Sequence, residues 1–281
     1  MPLFADKFFS GQPTRQQEVE FWRSLHLHGA VFKTTDERRM DDLNALVNDC
    51  WIASGFRPER VLDVGVSSGI TSLEWLEAMQ AAGFDPAMVA TDVAIRAKIV
   101  RIAPFHKVLV RDTPTREPLQ HSLFGWTLPA HFAIGFRSLV SSVTAIPFYG
   151  LVRALGFLGV TETSISLVSP KCLAGGKLSI EEDDVFDSSS KAQLGSFDVV
   201  RVANLLNTAF FSANRLQLAL QNIRAMLNGA GAYLIVNRTL GDGSNHGSMF
   251  RVGAQGRFQP VMQIGNGSEI ADLVLSLPAL P

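Results

Sequence analysis

Two cysteines in 281 residues, Cys50 and Cys172, stand far apart and away from any histidine cluster. That scarcity excludes a disulfide framework, and the spacing excludes a zinc site, so no metal is expected and both thiols should be reduced and buried. An excess of positive charge is lacking as well: the formal net charge is -1 and no block of Lys or Arg occurs. Nothing here attracts nucleic acid phosphates in general, and nucleic acid is excluded as a partner. The start, Met1 to Ser10, carries an early acid, Asp6, and no long apolar segment after a basic stretch. It does not read as a secretory leader, which makes a cytoplasmic location the expectation. An unmistakable set of acid and base residues is missing too.

What is present is concentrated in Val61-Leu-Asp-Val-Gly-Val-Ser-Ser-Gly69 and Ala90-Thr-Asp92. An apolar run ending in Asp63, a turn with Gly65, Ser67 and Gly69, and a second apolar run closing on Asp92 describe the opening of a nucleotide-binding α/β sheet. The small residues let the backbone turn sharply and pass close to a ligand. Asp92, roughly twenty residues on, stands where a second strand ends and suits a pair of ribose hydroxyls. A dinucleotide fingerprint would leave the helix N-terminus free for pyrophosphate; Asp63, two residues before Gly65, is expected instead to repel phosphate and attract a cation.

The Asp-x-Gly-x-Ser-x-Gly arrangement resembles the first motif of class I S-adenosylmethionine-dependent methyltransferases. The resemblance implies S-adenosyl-L-methionine as cofactor, held by Asp63, Gly65, Ser67, Gly69 and Asp92. It also implies an acid near the adenine, for which Lys177 to Phe186 offers Asp183 or Asp184; Asp184, followed by Val185, is chosen. A strand facing the transferred methyl is matched by Ser196 to Leu206, with Asn204 at its end. The matched elements run from Val61 to Val236, although only the first motif is specific.

Periodicity supports the same architecture. Leu216, Leu220, Ile223 and Leu227 make one apolar helical stripe that Gly229 can cap with a positive φ, and Ala232 to Val236 reads as a buried strand. Gly247 to Val252 and Arg257 to Ile264 read as a closing hairpin, while 267 to 276 reads as either a Ser-capped helix or a strand. The expected fold is α/β: a doubly wound, mostly parallel Rossmann-like sheet with a C-terminal antiparallel hairpin, an N-terminal helical cap and an apolar insertion. Residues 1–55 form the cap in this reading. Residues 56–281 form the cofactor-binding domain, with a hairpin from Lys107–Val110 and Leu119–Leu123, plus the insertion, at about 105–165. Thr14 should cap a helix from Arg15 to Leu25. A second helix should run from Thr35 with Met40, Leu43, Leu46 and Val47 on one side, leading to Trp51 and Ile52.

From His121 to Val160 the only charges are Arg137 and Arg153, and Pro129 and Pro147 break the apolar stretches below the roughly 20 residues that span a bilayer. Three roles stay open for it: a lid, a subunit interface, or a membrane-surface contact through Trp126, Phe132, Phe136, Phe148, Tyr149 and Phe157. The expected activity is methyl transfer to a small, apolar or lipid-linked acceptor, mainly by positioning for in-line attack. A protein acceptor and a non-catalytic, cofactor-binding, membrane-associated subunit are the alternatives. If a base is needed, His26 and His28 rank first because they sit in the cap, ahead of His131 and His246; Trp22 and Phe32 are candidate pocket residues. Asn204 is carried as a further catalytic candidate. Arg201, mid-strand in an apolar run, is either a polar contact or the partner of a core carboxylate.

Overall fold

The computed structural model describes residues 2–11, 13–27, 31–32, 38–103, 105–129, 161–174, 176–187 and 194–279. In chain order the first elements are α1 (Ala5–Ser10), α2 (Arg15–Ser24), β1 (His26–Leu27), β2 (Val31–Phe32), α3 (Asp41–Ser54), β3 (Arg60–Val64), α4 (Ile70–Ala81) and β4 (Ala87–Asp92). Five strands follow: β5 (Arg96–Ala103), β6 (His106–Arg111), β7 (Pro118–Leu123), β8 (Trp126–Pro129) and β9 (Thr161–Ser166). The chain ends with β10 (Leu178–Glu182), β11 (Val199–Ala203), α5 (Ala213–Met226), β12 (Tyr233–Thr239), β13 (Asn245–Val252), β14 (Phe258–Ile264) and α6 (Ala271–Leu275). Two compact units result, Glu37–Val93 with Lys171–Pro281, and Met1–Asp36 with Ala94–Pro170.

The first unit holds a seven-stranded sheet in the order β10-β4-β3-β11-β12-β13-β14. Its first five strands are parallel, and β13 and β14 close it as an antiparallel hairpin. Val61, Leu62 and Val64 on β3 and Val199, Val200 and Val202 on β11 are all buried, the pattern of strands covered on both faces, broken only by Asp63 and Arg201, which are buried as well. From β3 the chain winds one way to β4, and from β11 it winds the other way to β12. With right-handed crossovers this puts α4 and α5 on opposite faces and creates a switch point between β3 and β11, where ligands of such sheets bind. Leu216, Leu220 and Ile223 of α5 are buried with Val202, Leu234 and Val236, as their spacing requires. This is a Rossmann-like α/β sheet with the expected closing hairpin.

The second unit is a five-stranded antiparallel sheet in the order β8-β7-β6-β5-β9. Phe4, Phe8, Phe21 and Trp22, from α1, α2 and the residue before α1, pack with Ala97, Ile99, Leu109 and Leu119 of that sheet. Thr14 caps α2 through a reciprocal capping box with Gln17.

Several sequence expectations need correction. Residues 1–55 do not make one cap: α1 and α2 bring their aromatics to the antiparallel sheet, whereas α3 belongs to the parallel one, where Trp51 lies against Phe84 and Tyr233. Trp22 is therefore a core residue of the second unit. The helix α3 begins at Asp41, later than expected, and its buried stripe is Leu43, Val47 and Trp51, four residues apart, which turns Leu46 and Ile52 outward. The hairpin β6–β7 forms as expected but belongs to a whole sheet, since β5 and β9 also pair with each other from either side of the apolar insertion. Most of that insertion, 130–160, lies outside the described residues. The segment 267–276 resolves as the short helix α6. Gly229, at φ +114, lies past an extended Leu227 and is not the helix cap itself.

Candidate functional site

At the carboxyl end of β3 the chain enters a turn that is tied to β4 before it becomes α4. Gly65 and Val66 N–H groups both donate to the Thr91 carbonyl, at 2.8 and 3.1 Å. Ser67 N–H donates to Asp92 Oδ2 at 2.8 Å, and Asp92 is 8% exposed at the end of β4. Gly65, Ser67 and Gly69 all have positive φ, at 79°, 58° and 84°. A Cβ on Gly65 would stand 3.0 Å from Leu205 Cδ2. One on Gly69 would stand 2.9 Å from Ile180 Cδ1 and 3.1 Å from Cys172 Sγ. The glycines thus permit close packing of the turn against its own protein as well as the strained backbone. Cys172, buried under the turn with its thiol directed at the Ser68 carbonyl (3.8 Å), was not anticipated in the sequence beyond being buried.

Asp63 does something other than expected. Its register on β3 sets it opposite Arg201 of β11, and the two form a buried, two-pronged ion pair, Nε to Oδ1 at 2.9 Å and the second guanidinium nitrogen to Oδ2 at 2.6 Å. Ser72 hydroxyl donates to the same Oδ2 at 2.7 Å. Arg201 is fully buried and spends its other donors on Asn44 Oδ1 and the Thr71 carbonyl, both at 3.2 Å, with Trp75 stacked 3.9 Å from it. The carboxylate that was to greet a cation, and to repel phosphate, is already neutralised inside the sheet. The second of the two sequence readings of Arg201, a core carboxylate partner, is the one the structure shows.

Asn204 ends β11 in a left-handed conformation, φ 58°. Its Oδ1 accepts from Thr239 N–H at 2.7 Å, and its own N–H donates to the Asn237 carbonyl at 2.8 Å, so it staples the ends of β11 and β12. Asp184 lies past the end of β10 and its Oδ1 accepts from Phe186 N–H at 2.9 Å, forming an Asx turn. Val185 is buried in the main core, and its carbonyl accepts from Asn222 at 2.8 Å.

Of the histidines, His28 and His131 lie outside the described residues, and His26 is placed on β1 by its backbone alone. His246 Nδ1 accepts from Asn266 N–H at 2.8 Å, which puts the proton of the neutral ring on Nε2, 3.2 Å from Ser244 Oγ. Ser244 in turn donates to Asp242 at 2.6 Å, so His246 is held by its neighbours in one tautomer.

A cleft of about 210 Å³ opens beside the ends of β11 and β12, lined by Leu206, Asn237, Arg238, His246, Ser268 and Glu269 among others. Arg238 and Glu269 form an ion pair in its wall at 3.3 Å. Asn237 is 3% exposed; its amide nitrogen faces Met40 Sδ at 3.7 Å, and its Oδ1 has no donor among the described residues. Sequence reasoning missed Asn237, although its position, the first polar residue after the apolar run of β12, is the same signal that drew attention to Asn204. Among the described residues no group of three or more His, Cys, Asp or Glu is arranged to hold a metal.

No protein-family model and no curated protein sequence matches the chain. Among solved structures it is similar to the N-methyltransferase NodS of Bradyrhizobium japonicum in complex with S-adenosyl-L-homocysteine, with TM-score 0.35, 14% identity, and 72% of this chain and 63% of that one covered. An O-methyltransferase family protein of Burkholderia thailandensis gives TM-score 0.35 and 11% identity, covering 72% and 38%. A Rhodobacter sphaeroides protein named for zinc-dependent alcohol dehydrogenases gives 0.30 and 13%, covering 69% and 46%. The chain spans less than two thirds of each of these. Its function is therefore read from the residues of its own site.

Proposed function

We propose that the protein is an S-adenosylmethionine-dependent methyltransferase acting on a small, apolar or lipid-linked acceptor. The observation that carries this reading is the turn after β3, tied by Ser67 N–H to the Asp92 carboxylate at the switch point of a sheet closed by an antiparallel hairpin. Asp92 suits two ribose hydroxyls, because an ionised carboxylate accepts several hydrogen bonds at once. Asp63 takes no direct part: paired with Arg201, it fixes the start of α4 through Ser72. Asp184 and Val185 are assigned to the adenine end, and Asn204 to holding the strand ends that border the methyl.

When bound, the cofactor supplies an already activated methyl group. What remains for the chain is to bind, orient and exclude water. The unsatisfied Oδ1 of Asn237 is assigned to accept a hydrogen bond from an acceptor hydroxyl or amine, which relieves the cost of a buried acceptor left without a donor.

One observation favours a competitor. With Asp63 neutralised, nothing at that position repels a diphosphate, and a nicotinamide dinucleotide would use Asp92 in the same way. Against it stands the sheet, whose sixth strand runs antiparallel, unlike the all-parallel order of dinucleotide-binding folds.

The test is incubation of purified protein with methyl-labelled S-adenosylmethionine and a cell extract. Label appearing in the organic phase, and lost in Asp92→Ala, is the expected result. Label in protein would move the acceptor to a side chain, and label in neither would leave the non-catalytic alternative.

A further inference from the structure

We infer that the antiparallel unit carries a separate site for an acyl-chain amphiphile with an anionic head, in the cleft between the start of α1 and the tips of β6, β7 and β8. This does not depend on the methyltransferase reading. The cleft measures about 400 Å³, within the size range of small-ligand sites, and its walls include Leu3, Phe4, Phe105 and Phe124 together with Lys7 and Lys107. Asp6 pairs with Lys107, so two ammonium groups face one carboxylate and the cleft keeps one positive charge in excess. Apolar walls with a net cation at the rim select a molecule that is apolar along its body and negative at its end.

The rim is built in an unusual way. Phe124 and Gly125 form the two-residue loop between β7 and β8, both with positive φ, 48° and 83°. Such a turn takes Asn or Gly at its first position, and a bulky side chain there is strained. Phe124 is nevertheless 70% exposed, stacked on the 51% exposed Phe105 at 4.8 Å with the rings 6° from parallel, and Trp126 beside it is 66% exposed. Two large rings stacked across neighbouring turns, one of them at a position that penalises it, with exposed Trp126 at the start of β8, mark a surface kept for contact. Lys7 and Lys107 supply the charge complementarity that identifies the contact as an anionic amphiphile.

A free acyl anion and a lipid within a bilayer share this chemistry, and two arms separate them. In one, intact protein is titrated with dodecanoate below its micelle-forming concentration and followed by calorimetry. In the other, the protein is sedimented with vesicles of phosphatidylcholine alone or with phosphatidylglycerol. Binding is expected to dodecanoate, or to the anionic vesicles in preference to the neutral ones. In whichever arm responds, Phe124→Gly should weaken it about tenfold or more and Lys7→Glu should weaken it as well. Glycine suits the turn, so Phe124→Gly should melt at the same temperature or higher, which separates lost binding from lost fold. Absence of binding in both arms would overturn the inference. So would binding that neither substitution alters, or a self-association abolished by Phe124→Gly without any amphiphile binding.

Discussion

Arg201 in the parallel sheet and His121 in the antiparallel sheet are withdrawn from water to similar depths, 0% and 5% exposed. Arg201 is met by Asp63, Asn44, the Thr71 carbonyl and the ring of Trp75. His121 has no partner for either ring nitrogen among the described residues, and burial, then the neighbouring His106, push its pKa down to about 4. A guanidinium cannot shed its proton, so it must be buried with its partners; an imidazole can, and it is buried neutral. Polarity in the two units thus serves different ends. In the parallel sheet it fixes the turn that borders the proposed ligand site, and in the antiparallel sheet it makes stability depend on pH.

The strongest way to break the comparison is Arg201→Met, which leaves Asp63 buried and unpaired. A loss of about 3–5 kcal/mol in denaturant unfolding is expected, with a large part recovered when Asp63→Leu is added, since exchanging a whole buried pair for apolar groups is far cheaper than halving it.

The second test concerns pH. The folded pKa of His121 lies below its unfolded value near 6.5, so the unfolded chain binds more protons in acid. Stability is full above about pH 6.5 and falls as pH drops towards 4, by on the order of 3 kcal/mol. His106, also lowered by burial, acts in the same direction. Thermal melts from pH 7 to 4 should show this slope, and His121→Leu should flatten it. A slope unchanged in the variant would remove His121 from the explanation.

The smallest effect is expected at the surface of the antiparallel sheet. Lys98 meets Asp112 at 2.9 Å, with both side chains partly in water. Asp112→Asn should cost less than about 1 kcal/mol in the same unfolding assay, because solvent screens such pairs. A cost approaching that of Arg201→Met would mean that burial is not what separates the two cases.

Much of the parallel sheet was legible in the sequence because its signals are local. The turn after β3 needs small residues at Gly65, Ser67 and Gly69, the stripe of α5 repeats every three or four residues, and the closing hairpin brackets Ala254 to Gly256. Arg201 was half legible: a cation inside an apolar strand must find a buried acid, but that the acid is Asp63 depends on the register of β3 against β11, which no local pattern carries. The second unit was largely hidden for the same reason. The hairpin β6–β7 announces itself, whereas β5 and β9 find each other across the whole insertion. Asn204 reads correctly as the end of a strand, yet its side chain is spent on Thr239, a contact between β11 and β12 that sequence spacing does not encode.

The central claim is that the turn after β3 and Asp92 hold an S-adenosyl group. Isothermal calorimetry of the full chain with S-adenosylhomocysteine, and separately with NADH, tests it most directly. The expected result is binding of S-adenosylhomocysteine and not of NADH, lost at least about tenfold in Asp92→Asn, whose amide oxygen can still accept from Ser67 N–H and hold the turn. Binding of NADH alone, or of neither ligand by a folded protein, would contradict it.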